Sequence, residues 1–240
     1  MTNFSPTPNM IAEKAGPVGR LVFNKPQKHN ATSTDMWEAI PVILDEFEKD
    51  PAIRVVVVTG AGDKAFVSGA DISEFEKTRS NAAQAEKYSE RSGGLYGALR
   101  EMEKPTIAMI QGYCMGGGLA LAAACDLRFA GEGSQFAIPA AKLSIAYRPD
   151  FVSWVTDLVG PSRAKDILFS ARRLQAEEAL AMGLVNRVVP AAVLETMTKE
   201  YCAAVAVNAP LSIRASKLTI NELSKPERDQ DNDKIQRLAK

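Results

Sequence analysis

Short apolar runs alternate with polar turns and amphipathic stretches along most of the chain. The apolar runs favour β-structure and predict strands at residues 18–23, 54–59, 106–110, 126–130 and 185–189. An apolar stripe between Met36 and Phe47 predicts a helix that Thr34 or Asp35 caps. Pro41 falls inside this stripe, and we expect it to bend the helix or to move its start.

Polar and charged stretches complete the pattern. The first nine residues are polar and include two prolines, so we expect a loose tail there. The composition of residues 73–103 predicts mostly helix, as do residues 161–170, 177–182 and the chain from Val193 onward. Gly183 marks the C-terminal end of the helix at 177–182.

A run of three glycines, Gly116 to Gly118, separates the predicted strand at 106–110 from an alanine- and leucine-rich helix. Glycines let a backbone pass close to a ligand because no Cβ intervenes. The first amides of the following helix have no intrahelical acceptor and lie at the positive end of its dipole. The turn therefore indicates a place for a negatively charged group, the alternative being a tight, well-packed strand-to-helix turn.

Composition narrows the classes of function. Lys plus Arg and Asp plus Glu number 29 each among 240 residues, which argues against nucleic acid or an anionic membrane as the main partner. The three cysteines are widely spaced, as expected of free or buried thiols in a reducing compartment. The start of the chain does not resemble a secretory signal, and no apolar run reaches the roughly 18 residues of a membrane span. We therefore expect a cytoplasmic protein.

Two other kinds of site receive little support from the sequence. Residues 60–65 fit the G-x-G-x-x-A dinucleotide fingerprint, but no helix opens at once and no second strand with a terminal acid follows. A nicotinamide-dependent dehydrogenase is thus a weak alternative. His29 is the single histidine, and its neighbours support neither a Ser-His-Asp triad nor a metal site, so no metal site is predicted.

Four motifs, in order, resemble the crotonase superfamily, the enoyl-CoA hydratase/isomerase family. They are NKPQKHNA (24–31), AFVSGADI (65–72), GYCMGGGLALAAACD (112–126) and AEEALAMGLVNRVVP (176–190). The resemblance implies an α/β fold, a spiral of ββα units forming an acyl-CoA-binding core over residues 1–190. It also implies a helical region at 191–240 that mediates contacts in a homotrimer, or in a hexamer of two stacked trimers.

The family's shared device is a pair of backbone N–H groups that bind a thioester oxygen. Carried over by motif, these donors are Ala70 and Gly117, and Ala70, Asp71, Ile72 and Ser73 line the coenzyme A arm. Lys25, Lys28 and His29 are candidates to meet the coenzyme A phosphates, or else ordinary solvated groups near a turn. Coenzyme A enters as part of the substrate, and no permanently bound cofactor is expected.

The chain departs from the family's hydratase pattern at two positions. The resemblance places the two hydratase glutamates at Ala120 and Ala140, and alanine cannot move a proton. A replacement acid or base can come from Tyr147 or Asp150 if the group is desolvated. The alternatives are an Arg148–Asp150 surface pair and a Tyr147 that only packs. Asp71 and Glu74 are weaker candidates.

Several reactions therefore remain open. The family's default is a lyase or isomerase acting on acyl-CoA, in this case by a mechanism unlike that of the two-glutamate hydratases. Decarboxylation, retro-aldol cleavage and hydrolysis of an acyl-CoA also suit a site without both carboxylates. A non-catalytic paralogue that binds coenzyme A is the remaining alternative.

Overall fold

The structure, a computed structural model, describes residues 2–71, 73 and 96–238. Two β-sheets lie at its centre. Their strands are β1 (Thr2–Phe4), β2 (Met10–Ala15), β3 (Val18–Phe23), β4 (Val55–Gly60), β5 (Ala65–Val67), β6 (Thr106–Ile110), β7 (Tyr113–Met115), β8 (Leu127–Gly131), β9 (Gln135–Ala137), β10 (Leu174–Gln175) and β11 (Arg187–Val189).

The chain passes repeatedly from the larger sheet to the smaller one. The larger has the order β1-β2-β3-β4-β6-β8-β11, with β3, β4, β6, β8 and β11 parallel. The smaller has the order β10-β9-β7-β5, with β5, β7 and β9 parallel. Each of β4, β6 and β8 is followed in the chain by a strand of the smaller sheet. The chain thus winds through both sheets in successive ββ units.

Helices surround the sheets. The α-helices are α1 (Thr34–Lys49), α2 (Gly117–Ala124), α3 (Pro149–Ser170), α4 (Ala176–Ala181), α5 (Ala191–Ala206), α6 (Pro210–Leu223) and α7 (Asn232–Leu238), and residues 96–101 are also helical. Short 3-10 helices occupy Pro26–Lys28, Pro139–Leu143 and Glu227–Asp229. Among the described helices, none is both long enough and apolar enough to cross a membrane.

Strand β4 shows why the larger sheet is covered on both faces. Its side chains alternate, and Val56 and Val58 join the main core, to which α1 and α2 contribute. Val55 and Val57 join a second cluster on the opposite face with Leu194 of α5. A parallel strand buried on both faces reads as a continuous apolar run, which is the pattern of residues 55–58.

Two sequence-based expectations about the N-terminal region need correction. The expected loose tail is wrong for Thr2–Phe4, which pairs antiparallel with β2, because Phe4 packs edge-on against Phe47 at 5.9 Å between ring centroids. Helix α1 begins at Thr34 with Ser33 at its N-cap, so the prediction that Thr34 or Asp35 caps the helix is wrong by one or two positions. The helix continues through Pro41, and the proline does not move its start.

The predicted helix at 161–170 is the second half of a longer element. Helix α3 begins at Pro149, and Gly160 breaks it with φ 78° and ψ 162°. The chain from Val193 onward is largely helical, as predicted. Of the predicted helical stretch 73–103, residues 74–95 lie outside the described residues. The assignment of residues 191–240 to oligomerisation stays a prediction.

Candidate active site

Three segments that carry predicted site positions meet at one edge of the smaller sheet. Strands β5, β7 and β9 are parallel, so their carboxyl ends lie side by side. Gly69 and Ala70 follow β5, Gly116 to Gly118 follow β7, and Ala140 comes shortly after β9. Because these segments are far apart in sequence, the sheet is what brings them together. This edge is the candidate active site.

Two of the three glycines have structural reasons for their identity. Gly116 precedes α2 with φ 52°, in the left-handed region that favours glycine, and its N–H donates to the Ala137 carbonyl at 2.8 Å. A Cβ on Gly118 would lie 2.1 Å from the Val67 carbonyl oxygen, because α2 packs directly against the end of β5. Together they fix the N-terminus of α2 against the smaller sheet.

Gly117 lies where the start of α2 approaches the segment that follows β5. As the first residue of α2, its N–H has no intrahelical acceptor. A Cβ on Gly69 would lie 3.9 Å from the Gly117 nitrogen. A Cβ on Gly117 would lie 4.0 Å from the Gly69 Cα and 2.9 Å from the Tyr96 hydroxyl oxygen. Gly117 therefore stands opposite Gly69, with the Tyr96 hydroxyl beside it.

Ala70 is oriented by a single parallel bridge to Thr32. The Thr32 N–H donates to the Gly69 carbonyl at 2.8 Å, and the Asp71 N–H donates to the Thr32 carbonyl at 2.9 Å. In such a bridge the neighbours of residue 70 make both bonds. The N–H of Ala70 itself is therefore directed away from Thr32.

Tyr147, predicted as a replacement acid or base, lies at the same edge. Its hydroxyl donates to the Gly116 carbonyl at 2.8 Å, and its ring packs against Phe151 at 5.6 Å between centroids. Burial of the hydroxyl raises the pKa of Tyr147 well above its ordinary value, with smaller contributions from nearby groups that include Tyr96. At neutral pH this phenol is protonated, so it can act as an acid but is a poor base.

The other predicted proton carrier, Asp150, is engaged with Arg148. The Arg148 Nε lies 3.0 Å from one Asp150 carboxylate oxygen, and an η nitrogen lies 3.0 Å from the other. Both side chains are about one-third exposed, at 29% and 33%. Asp150 also lies in the first turn of α3. The structure thus contains the ion pair that the sequence offered as the alternative to a catalytic Asp150.

Sequence reasoning missed Tyr96, which starts the described helical residues 96–101. Its ring packs edge-on against Phe151 at 4.7 Å, and Phe151 in turn contacts Trp154 at 5.2 Å. Tyr96 follows a charged stretch and belongs to none of the four motifs. No local pattern separates it from an ordinary helix residue.

Asp71 lies at the centre of a group of polar side chains behind Ala70. One of its carboxylate oxygens accepts hydrogen bonds from Lys25 at 2.8 Å and Lys28 at 3.1 Å, and the other accepts from the Ser73 hydroxyl at 2.6 Å. Burial raises the pKa of Asp71, but the hydrogen bonds from Lys25, Ser73 and Lys28 outweigh it and hold the pKa well below its usual range. Lys28 also donates to Ser73 at 3.1 Å and remains half exposed.

Two further residues, His29 and Ile72, were predicted to contact coenzyme A. His29 is exposed, its carbonyl accepts from the Ser68 N–H at 3.1 Å, and its ring lies 5.8 Å from that of Tyr113. It thus lies beside the segment that leads to Gly69. Ile72, predicted to line the coenzyme A arm, lies outside the described residues, as does Glu74.

Comparison with known proteins identifies the family. The sequence profile of the enoyl-CoA hydratase/isomerase family matches residues 13–238. This chain belongs to the enoyl-CoA hydratase/isomerase family. It is similar to the short-chain-enoyl-CoA hydratase of Clostridium acetobutylicum, with 36% identity over 213 residues that cover 89% of this chain and 81% of the relative. It is also 34% identical to the crotonyl-CoA hydratase of Syntrophomonas wolfei over 214 residues, covering 89% of this chain and 82% of that one.

Solved structures of family members have the same architecture. An enoyl-CoA hydratase/isomerase family protein from Hyphomonas neptunium superposes with a TM-score of 0.93 at 36% identity, covering 98% of this chain and 90% of that one. The predicted α/β crotonase-like fold is therefore confirmed, as is membership of the enoyl-CoA hydratase/isomerase family. Membership also implies an enzyme acting on acyl-CoA.

Proposed function

We propose that this protein stabilises the enolate of an acyl-CoA thioester between the N–H groups of Ala70 and Gly117. The observation that carries the proposal is the approach of two backbone segments at the edge of the smaller sheet. The Gly117 nitrogen begins a helix and lies within 3.9 Å of the Cβ position of Gly69, directly before Ala70. The bridge to Thr32 turns the Ala70 N–H to its other side.

The chemistry of a thioester explains why two fixed amides suit it. When a thioester gains enolate character, negative charge collects on its carbonyl oxygen. Amides that are already in place stabilise this charge more than they stabilise the neutral ground state. The N-terminus of α2 adds its dipole to the same point. The slot, meaning the place between the N–H groups of Ala70 and Gly117, thus lowers the barrier to any reaction that passes through a thioester enolate.

We further propose that the reaction does not use the two-glutamate hydration route. We assign Ala120 and Ala140 to the positions of the hydratase glutamates, and neither can hold a proton. Ala120 is fully buried, and Ala140 packs against the core. Of the carboxylates predicted nearby, Asp71 is paired with lysines and Asp150 with Arg148. Decarboxylation suits such a site best, because loss of CO₂ from a carboxylate forms the enolate directly, whereas retro-aldol cleavage must still remove the proton of the β-hydroxyl group.

Positively charged side chains next to the slot support a role in binding the coenzyme A phosphates. Lys28 is half exposed and lies beside Ser73, on the side of Ala70 that leads to the surface. Asp71 holds Lys25 and Lys28 near each other, and the two ammonium groups with one carboxylate carry a net positive charge that favours a phosphate at the exposed Lys28. We propose that Lys28, with His29 and Ser73, contacts the nucleotide end of coenzyme A.

We also propose a homotrimer or a hexamer. Large apolar side chains of the C-terminal helical region are exposed in the single chain, and examples are Val207 at 84%, Leu211 at 74% and Ile220 at 62%. Contact between copies would remove this apolar surface from water. Sedimentation equilibrium of the purified protein measures the mass directly, and a monomer at micromolar concentration would contradict the proposal.

A panel of thioesters tests the reaction class. We expect little loss of ultraviolet absorbance with 2-enoyl-CoA, and turnover with a malonyl-type or a 3-hydroxyacyl thioester. Proline is tolerated at the first position of a helix, so Gly117→Pro removes the N–H without breaking α2. This variant should lose about 10²–10³ of the rate.

The matched control is Gly117→Ala, which also adds a Cβ but keeps the N–H. A larger loss in Gly117→Pro than in Gly117→Ala isolates the contribution of the donor. Tight binding of coenzyme A with no turnover of any thioester would contradict the proposed catalytic activity and favour a non-catalytic binding protein. Rapid hydration of 2-enoyl-CoA would contradict the proposed departure from hydratase chemistry.

A further inference from the structure

Tyr96 places a hydroxyl at the slot that neither the motifs nor the family assignment accounts for. Its side chain is 5% exposed, and its ring is held edge-on against Phe151 at 4.7 Å. The hydroxyl therefore occupies a fixed position. It is also close enough to Tyr147 to contribute to the raised pKa of that phenol.

Distances from the Cβ position of Gly117 locate this hydroxyl. The Cβ position of Gly117 is 2.9 Å from the Tyr96 hydroxyl oxygen and 4.0 Å from the Gly69 Cα. The Tyr96 hydroxyl, Gly117 and Gly69 therefore lie around one point. A thioester oxygen bound by the Gly117 and Ala70 N–H groups, as proposed above, comes near the Tyr96 hydroxyl.

We propose that Tyr96 is a catalytic residue whose hydroxyl donates a third hydrogen bond to the thioester oxygen when that oxygen becomes negatively charged. This inference rests on the proposed enolate function of the slot. A hydroxyl fixed before the reaction adds stabilisation without reorganisation during it. The phenol keeps its proton and no bond is broken, so Tyr96 acts only by hydrogen bonding.

The bound enolate of acetoacetyl-CoA gives a direct readout. This β-ketoacyl thioester forms an enolate that absorbs in the near ultraviolet, so its apparent pKa on the enzyme reports enolate stabilisation without knowledge of the natural substrate. In Tyr96→Phe we expect this pKa to rise by about one unit, a roughly tenfold loss of preference for the enolate. The dissociation constant of coenzyme A alone should not change.

Tyr201→Phe is the matched control. It removes the same hydroxyl from a tyrosine of α5 whose ring packs on Phe129 at 5.1 Å, in the cluster on the opposite face of the larger sheet. We expect wild-type behaviour from this variant. A structural role for Tyr96 would lower the melting temperature without moving the pKa of the bound enolate.

The outcomes separate this inference from the function on which it rests. If wild-type protein stabilises the enolate and Tyr96→Phe does so equally well, Tyr96 is not a donor and the proposed function stands. If Tyr96→Phe binds acetoacetyl-CoA more tightly, the hydroxyl obstructs the slot and the inference is wrong. If wild-type protein neither binds acetoacetyl-CoA nor stabilises its enolate, the proposed function fails and the inference fails with it.

A second pair of variants tests the placement of the hydroxyl. Gly117→Ala brings a methyl group within 2.9 Å of the Tyr96 oxygen, whereas the ring carbon that carries this oxygen is 4.0 Å away. Adding Tyr96→Phe therefore leaves an ordinary contact. We expect Gly117→Ala to weaken acetoacetyl-CoA binding at least tenfold more in the wild-type background than in the Tyr96→Phe background. Equal effects in both would place the hydroxyl elsewhere.

Discussion

The glycine turn at α2 and the segment from Tyr147 to Asp150 border the same site but are built differently. At the turn, backbone atoms meet backbone atoms, and a single methyl on Gly118 would run into the Val67 carbonyl at 2.1 Å. In the segment, side chains meet, and Arg148 and Asp150 pair with each other at the surface. The turn is therefore intolerant of a side chain at Gly118, whereas the segment is held by side-chain contacts, which include the bond from Tyr147 to the Gly116 carbonyl.

The largest expected effect tests the rigidity of the turn. Gly118→Ala should lower the free energy of unfolding by about 3 kcal/mol or more, because the carbonyl of a buried strand end cannot move away. Urea denaturation measures the change. The control is Gly97→Ala, at a helical position where a Cβ meets no described residue within 4 Å. Gly97→Ala should raise the free energy of unfolding by about 0.5–1 kcal/mol. Equal losses of stability in both variants would contradict a special intolerance of the turn to a side chain.

A smaller effect is expected behind Ala70, where side chains support the backbone. Asp71→Asn weakens the bonds to Lys25, Lys28 and Ser73 and should cost about 1–3 kcal/mol at pH 7. The folded pKa of Asp71 is lowered, so its contribution is present above the unfolded value near 4 and is lost as the pH falls toward the folded pKa. The gap in unfolding free energy between wild type and variant should therefore narrow below about pH 4.

The control for Asp71 is an exposed ion pair. Asp45 and Lys49 are 60% and 73% exposed on α1, and they are bonded at 2.6 Å. Asp45→Asn should change the unfolding free energy by no more than about 0.5 kcal/mol at any pH. A pH-independent gap for Asp71→Asn would mean that the lost stability does not come from its charge.

The smallest effect on stability is expected in the segment. Tyr147→Phe removes a hydrogen bond to a carbonyl that also accepts from α2, and should cost about 1 kcal/mol. If Tyr147 delivers a proton, turnover should fall while the Michaelis constant stays the same. Asp150→Asn should lower turnover as well if that carboxylate carries protons. Unchanged turnover in both variants would mean that neither Tyr147 nor Asp150 transfers a proton.

Several features of the fold followed from local patterns. Strands β3 and β6 have the predicted bounds, and β4 is displaced by one residue, because runs buried on one or both faces show directly in the sequence. The apolar stripe of α1 was also predicted, although its N-cap is Ser33 and not the predicted Thr34 or Asp35. The loose N-terminal tail was wrong because strand pairing depends on β2 and on the ring of Phe47, neither of which the first nine residues reveal.

The sequence by itself determined the family and the fold, and it predicted the backbone part of the candidate site, because glycines record where a chain must turn or pack closely. Only the tertiary structure decided which side chains join that site. Tyr96 meets Gly117, and Lys25 meets Asp71, across separations of 21 and 46 residues that no local pattern encodes. Pairing of β5 with β7 brings the segment after β5 to the glycine turn, while Lys25 comes from the segment after β3 and Tyr96 from a helix, so these contacts depend on the arrangement of the whole fold.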